Sequence, residues 1–208
     1  MVKQNPKLID SIIQKIKSER HLDFSQYRKP LLTRRIVARA LLAKRPDLDE
    51  YLKLLESDPA EMDFLVDKIT INVTELFRDP KVFDALRTKI IPEILDFKKY
   101  SSGGEIRIWS CACATGREAY SILMILKDIL GRSYDPDRIK LLGTDIDESS
   151  IEAARTFTIS ESELSTLQED FQTLCKKNLE PKAEGGWAIP GDLRKSTNFI
   201  RHDLTKEL

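Results

Sequence analysis

A strand, a loop of small residues, a helix and a second strand follow one another in the middle of this chain. Alternating apolar residues predict a strand over 106–110, and the loop after it contains a single glycine, Gly116. A helical pattern then leads to a second strand, over 140–145, that ends at Asp145. This order is typical of the first half of a nucleotide-binding α/β unit, in which a loop approaches the ligand and an acid accepts hydrogen bonds from ribose.

The number of glycines bears on which ligand such a unit takes. A dinucleotide fingerprint has three, for a tight turn, for close approach to pyrophosphate and for packing of the helix on the strand. Gly116 alone therefore favours a ligand without pyrophosphate, such as S-adenosylmethionine, over a nicotinamide cofactor. An ordinary loop of an α/β domain, with Asp145 capping the next element, explains the spacing equally well.

Three separated motifs resolve this ambiguity. They are Ile69-Thr-Ile-Asn-Val-Thr-Glu-Leu-Phe-Arg, Trp109-Ser-Cys-Ala-Cys-Ala-Thr-Gly-Arg-Glu-Ala-Tyr-Ser and Gly143-Thr-Asp-Ile-Asp. In this order and spacing the chain resembles the chemotaxis-receptor glutamate methyltransferases of the CheR type, from about residue 8 onwards. It departs from the family pattern at Arg117, where a glutamate is usual. Members of this family continue for several strands and helices past the position of Leu208, so we expect a C-terminally truncated relative.

The resemblance implies an α/β protein in two parts. Residues 1–97, whose periodicity is helical, are expected to form an all-helical receptor-docking domain. Residues 98–208 are expected to form a partial S-adenosylmethionine-binding, Rossmann-like domain with three parallel strands. A small antiparallel β subdomain is expected as an insertion over 156–196, before the third strand.

The resemblance also assigns residues to the site. Arg78 is expected to orient the substrate carboxylate with its planar set of donors. Without the resemblance, Asn72, Thr74 and Arg78 would be interpreted as a helix cap and a surface arginine, and Glu118 as an acid favoured by the start of a helix. The predicted cofactor-binding residues are Asn72, Thr74, Arg78, Gly116, Glu118, Asp145, Asp203 and Leu204.

A basic stretch over residues 24–46 is the candidate docking surface for an acidic receptor. It contains seven basic residues and no acid. A solvated helix face, neutralised by acids over 47–67, is the alternative. Nucleic acid is disfavoured because basic and acidic residues number 34 each and no aromatic residues are interleaved. The predicted receptor-docking residues are Arg28, Arg34, Arg35 and Arg39.

Bulk properties predict a cytoplasmic protein without a metal. No apolar run approaches membrane-spanning length, and the first ten residues lack the apolar core of a signal peptide. Three cysteines fit a reducing compartment. Cys111 and Cys113 do not have the usual spacing of zinc ligands.

The predicted reaction is methyl transfer from S-adenosylmethionine to receptor glutamates, which gives γ-glutamyl methyl esters and S-adenosylhomocysteine. Two alternatives remain. One is a non-catalytic remnant or fragment that keeps docking or cofactor binding. The other is a methyltransferase that acts on another substrate, or a nicotinamide enzyme. Because the chain stops after its third predicted strand, residues 106–111 would form an exposed, apolar edge. We therefore expect self-association through this edge, or a chain that is a piece of a longer enzyme.

Overall fold

The computed structural model describes residues 5–70, 74–100 and 104–206. The chain divides into two compact units, Met1–Asn72 and Val73–Leu208. Among the described residues, no helix is both long enough and apolar enough to cross a membrane.

The first unit is helical. Its elements are α1 (Pro6–Arg20), α2 (Lys29–Leu42), α3 (Leu48–Ser57) and α4 (Pro59–Thr70). Asn5 accepts a hydrogen bond from the Lys7 amide, and Asp47 does the same for Asp49 and Glu50, so both helices begin at side-chain caps. The apolar residues of these helices face inward and are buried at Ile9, Ile12, Ile16, Leu32, Ile36, Ala40, Leu48, Tyr51 and Leu65.

The second unit begins before the position expected from the sequence. Its first helices are α5 (Pro80–Ala85) and α6 (Ile91–Tyr100), joined by a π-helical turn, Leu86–Ile90. Phe83 and Ile91 share one hydrophobic cluster with Tyr120 and Leu123, which lie in the helix after the first strand. The division at residue 72 therefore differs from the boundary expected at 97, because these helices pack on the α/β part of the chain.

The remaining elements alternate as the sequence predicts. In chain order they are β1 (Ile106–Cys111), α7 (Arg117–Leu130), a 3₁₀ turn (Gly131–Ser133), β2 (Ile139–Asp145), α8 (Glu148–Arg155), β3 (Thr158–Ile159), α9 (Glu161–Ser165), α10 (Glu169–Asn178), β4 (Glu180–Pro181), β5 (Trp187–Ala188), α11 (Gly191–Lys195) and β6 (Thr197–Arg201).

The main sheet has three parallel strands in the order β1-β2-β6, which confirms the predicted fold. Ile106 lies opposite Ile139, and Asp145 lies opposite Arg201. Parallel strands end at the same edge of a sheet, so the residues that follow β1, β2 and β6 come together there.

A second, antiparallel sheet lies within the segment between α8 and β6, as the resemblance implied. Its strand order is β3-β5-β4, and three short helices accompany it. The two ends of this insertion are tied together. The Arg155 guanidinium donates to the Phe199 carbonyl at 2.8 and 3.2 Å, and Arg194 donates to the Arg155 carbonyl at 3.0 Å.

Candidate functional site

The loop between β1 and α7, residues 112–116, has an unusual backbone. Ala112, Ala114 and Gly116 all have positive φ angles, of 56°, 46° and 77°. A Cβ on Gly116 would lie 2.9 Å from Ala154 Cβ and 3.2 Å from the Phe199 ring, so a side chain has no room there. Left-handed alanines are strained, and such backbone persists only where surrounding contacts hold it.

Asp145, the last residue of β2, supplies one of those contacts. Its carboxylate accepts hydrogen bonds from the Ala114 amide at 2.7 Å and from the Asp147 amide at 3.1 Å. Its carbonyl accepts from the His202 amide at 2.7 Å, so β6 ends beside it. The side chain is buried, yet a carboxylate offers about four acceptor positions, which leaves room for a ligand hydroxyl.

Glu118 lies in the first turn of α7, at the same edge of the sheet. Glu118 is exposed, and its carboxylate accepts a hydrogen bond from the buried Ser110 hydroxyl at 2.9 Å. Ser110 belongs to β1, so strand and helix fix the direction of the acid. Negative charge is favourable at the start of a helix. The structure therefore brings Gly116, Glu118 and Asp145 together.

Asp203 and Leu204 follow β6. The Asp203 carboxylate accepts hydrogen bonds from the Thr205 amide at 3.0 Å and hydroxyl at 2.8 Å. Burial disfavours its charge, but these hydrogen bonds and the Lys206 ammonium outweigh burial and hold the pKa of Asp203 below its usual value. Leu204 is half exposed. Both residues lie two or three positions beyond the strand residue that pairs with Asp145.

The segment that carries Thr74 and Arg78 is fixed by a residue that the sequence analysis did not select. Phe77 is buried, has a φ of 49° and donates its amide to the Ser121 hydroxyl of α7 at 3.1 Å. Its ring stacks on Phe171 with centroids 4.3 Å apart. Thr74 is half-buried and Arg78 is exposed. Asn72 lies outside the described residues.

Arg117, the departure from the family pattern, pairs with an acid of the insertion. Its Nε lies 2.6 Å and its Nη2 3.0 Å from the two carboxylate oxygens of Glu163. Nothing in the sequence pattern pointed to Glu163, which is 46 positions away. The positive charge is thus matched within the chain.

Cys111 at the end of β1 and Cys113 in the loop have different surroundings. No cluster of three or more His, Cys, Asp or Glu suited to a metal ion occurs in residues 5–70, 74–100 and 104–206. Cys113 is buried, and burial followed by the nearby Asp145 carboxylate raises the pKa of its thiol to about 12. Cys111 is exposed.

Comparison with known families accounts for both units. A family model described as the CheR methyltransferase SAM binding domain matches residues 72–208, and the all-alpha domain of the same family matches residues 7–70. The chain belongs to the CheR methyltransferase family. The matched CheR domain is defined by S-adenosylmethionine binding, which confirms the predicted cofactor, and the boundary between the two matches coincides with the division between the two units.

Individual relatives support the same assignment. A chemotaxis protein methyltransferase of Listeria monocytogenes is 30% identical over 190 residues, which is 91% of this chain and 68% of the relative. One of Escherichia coli is 34% identical over 145 residues, 69% of this chain and 47% of the relative. An uncharacterized 104.1 kDa protein of Rhodobacter capsulatus is 30% identical over 196 residues, 94% of this chain and 20% of the relative. The chain therefore spans between a fifth and about two thirds of these relatives.

The CheR all-alpha unit separates the predicted docking arginines into two groups. Arg39 donates to both oxygens of the buried Glu61 carboxylate at 2.9 and 2.5 Å, and Tyr51 donates to one of them at 2.8 Å. Arg35 donates to the Ile69 carbonyl. These two side chains hold α2 against α4, and Tyr51 joins α3 to the same carboxylate. Arg28 and Arg34 are exposed.

Proposed function

We propose that the protein to which this chain belongs transfers the methyl group of S-adenosylmethionine to glutamate carboxylates of chemotaxis receptors. The products would be γ-glutamyl methyl esters and S-adenosylhomocysteine. One observation carries the proposal: Gly116, Glu118 and Asp145 meet at the carboxyl edge of a parallel sheet in a chain of the CheR family. Ligands of open α/β sheets bind at this edge.

The residues at this edge suit that cofactor. Asp145 has acceptor positions left for ribose hydroxyls after its two backbone hydrogen bonds. Glu118 offers a negative charge to the cationic methionine end, and Gly116, with a φ of 77°, allows the loop to turn into α7 beside Asp145. Thr74, Arg78, Asp203 and Leu204, with Asn72, remain our proposed cofactor contacts.

The proposed chemistry needs no general base. When bound, S-adenosylmethionine supplies an electrophilic methyl group on a sulfonium sulfur. The substrate glutamate is already ionised near pH 7, so its oxygen forms the new bond to carbon while the electron pair of the carbon–sulfur bond returns to sulfur. The protein's task is to desolvate and align the carboxylate, and we assign its orientation to Arg78.

Binding measurements test this proposal most directly. Titration calorimetry with S-adenosylhomocysteine should show binding that Asp145→Asn weakens, and NAD should give no heat of binding. Equal binding of NAD, or no binding of S-adenosylhomocysteine, would overturn the cofactor assignment. Binding without methyl transfer to a receptor cytoplasmic domain would favour the alternative, a cofactor-binding or docking remnant or fragment of such an enzyme.

Receptor docking is the second part of the proposal. The proposed partner is the cytoplasmic domain of a chemotaxis receptor, so we propose that the protein acts in the cytoplasm. Of the four predicted arginines, Arg28 and Arg34 expose their charge, whereas Arg35 and Arg39 are engaged within the unit. Reversing Arg28 and Arg34 to Glu should weaken docking to an acidic receptor surface, and the wild-type affinity should fall as salt rises. If the affinity for the receptor changes neither with the charge reversals nor with salt, these side chains belong to a solvated face and do not dock.

We also propose that this chain, unless it is a piece of a longer enzyme, self-associates through β1. Among the described residues, β1 pairs only with β2, so the other side of β1 presents unpaired backbone N–H and C=O groups. An exposed, apolar edge strand invites pairing with another chain. Sedimentation velocity over a concentration series should therefore show a dimer or larger species, and a monomer at every concentration would contradict this.

A further inference from the structure

Arg117 joins the loop 112–116 to the inserted segment. Besides its two hydrogen bonds to Glu163 in α9, its Nη1 donates to the Thr115 hydroxyl at 2.6 Å. Its guanidinium lies 5.5 Å from the centroid of the Phe157 ring, next to β3. One side chain at the start of α7 therefore contacts the loop on one side and the insertion on the other.

The geometry of this contact depends on arginine. Both oxygens of Glu163 accept from a planar fork of donors, an arrangement that the single ammonium of a lysine does not reproduce. The side chains are 21% and 27% exposed, so water screens the pair less than it screens a pair on the open surface.

The loop is consequently held at two adjacent residues by two different parts of the fold. Asp145, from the parallel sheet, accepts the hydrogen bond of the Ala114 amide. Arg117, braced by Glu163 of the insertion, donates to Thr115. Because Ala112 and Ala114 have left-handed backbone, the loop depends on such attachments to keep its shape. Loss of either attachment would allow it to relax.

We propose that Arg117 and Glu163 are positioning residues that couple the insertion to the cofactor loop. This rests on the proposed function, because that function assigns the loop 112–116 to the cofactor. Arg117 acts on the cofactor through Thr115, whose hydroxyl it holds. Coupling of this kind is reciprocal: a partner that shifts α9 changes cofactor affinity, and cofactor binding changes affinity for that partner by the same factor.

A double-mutant cycle tests the coupling. Arg117→Gln and Glu163→Gln should each weaken S-adenosylhomocysteine binding about five- to tenfold, the lower end of coupling between sites. The double variant should lose no more than either single variant, because one attachment is removed in all three. Arg117→Lys, which keeps the charge but not the fork, should resemble Arg117→Gln. Glu169→Gln is the matched control, because Glu169 is an exposed acid of the same insertion.

A second readout needs no ligand. Amide hydrogen exchange over residues 112–116 should be faster in Glu163→Gln than in the wild type and unchanged in Glu169→Gln. Variants that lower only the unfolding midpoint, with wild-type loop exchange and wild-type affinity, would overturn the proposal, as would full affinity in Arg117→Lys. If the wild type binds no S-adenosylhomocysteine but loop exchange still responds to Glu163→Gln, the cofactor assignment fails and the coupling stands.

Discussion

Replacing Gly116 by alanine tests whether the loop requires a residue without a side chain. The backbone there has a φ of 77°, and the added Cβ would lie 2.9 Å from Ala154 Cβ and 3.2 Å from the Phe199 ring. Left-handed backbone costs an L-residue about 1–2 kcal/mol, and overpacking a filled interior costs about 1–3 kcal/mol. We therefore expect Gly116→Ala to lower the free energy of unfolding by about 2–5 kcal/mol.

Gly185→Ala provides the matched control. Gly185 also has a positive φ, of 94°, but a Cβ there meets no described atom within 4 Å. This variant should lose only the backbone part, about 1–2 kcal/mol. Urea unfolding followed by the fluorescence of Trp109 and Trp187 measures both losses, and their difference isolates the contacts with Ala154 and Phe199. Equal losses in the two variants would refute the steric argument.

Three further predictions concern individual side chains. Asp145→Asn should destabilise the fold by about 1–3 kcal/mol, because one buried loop amide loses its acceptor, and should weaken S-adenosylhomocysteine binding about tenfold. Arg39→Ala should cost about 2–4 kcal/mol in urea unfolding because it leaves a buried carboxylate unpaired, whereas exposed Arg34→Ala should cost less than about 0.5 kcal/mol. Because burial raises the pKa of Cys113 to about 12, its thiol stays protonated at pH 8, and mass spectrometry after iodoacetamide treatment should find Cys111 alkylated and Cys113 unmodified until the protein unfolds.

Sequence patterns predicted the elements well where the signal is local. Alternating apolar residues placed β1 and β2, and their parallel pairing is confirmed. Asn5 before Pro6 is likewise a local signal for the start of a helix, and Asn5 accepts the hydrogen bond of the Lys7 amide at the start of α1. Such features depend on a few neighbouring residues, and the printed sequence contains them directly.

Features that depend on distant residues were not predictable in the same way. Helical periodicity identified α5 and α6 but not the surface on which they pack, so the division at residue 72 was missed. A run of basic residues suggested one docking face, yet Arg39 pairs with the buried Glu61, 22 positions away, and is only partly exposed. The positions of Gly116 and Asp145 follow from the order of strand, loop, helix and strand, and their roles as cofactor contacts stay predictions.

The hydrogen bonds of Arg155 and Arg194, which join the two ends of the insertion, affect how β2 and β6 pair in the sheet. β2 and β6 pair across a long intervening stretch, and joining distant segments costs entropy that grows with the length between them. Because Arg155 and Arg194 join the two ends of that stretch, the effective connection between β2 and β6 is short, and the entropy cost of pairing them is correspondingly smaller. A change in the length of the segment that contains β3, β4 and β5 would therefore leave the register of β2 and β6 unchanged as long as these contacts remain.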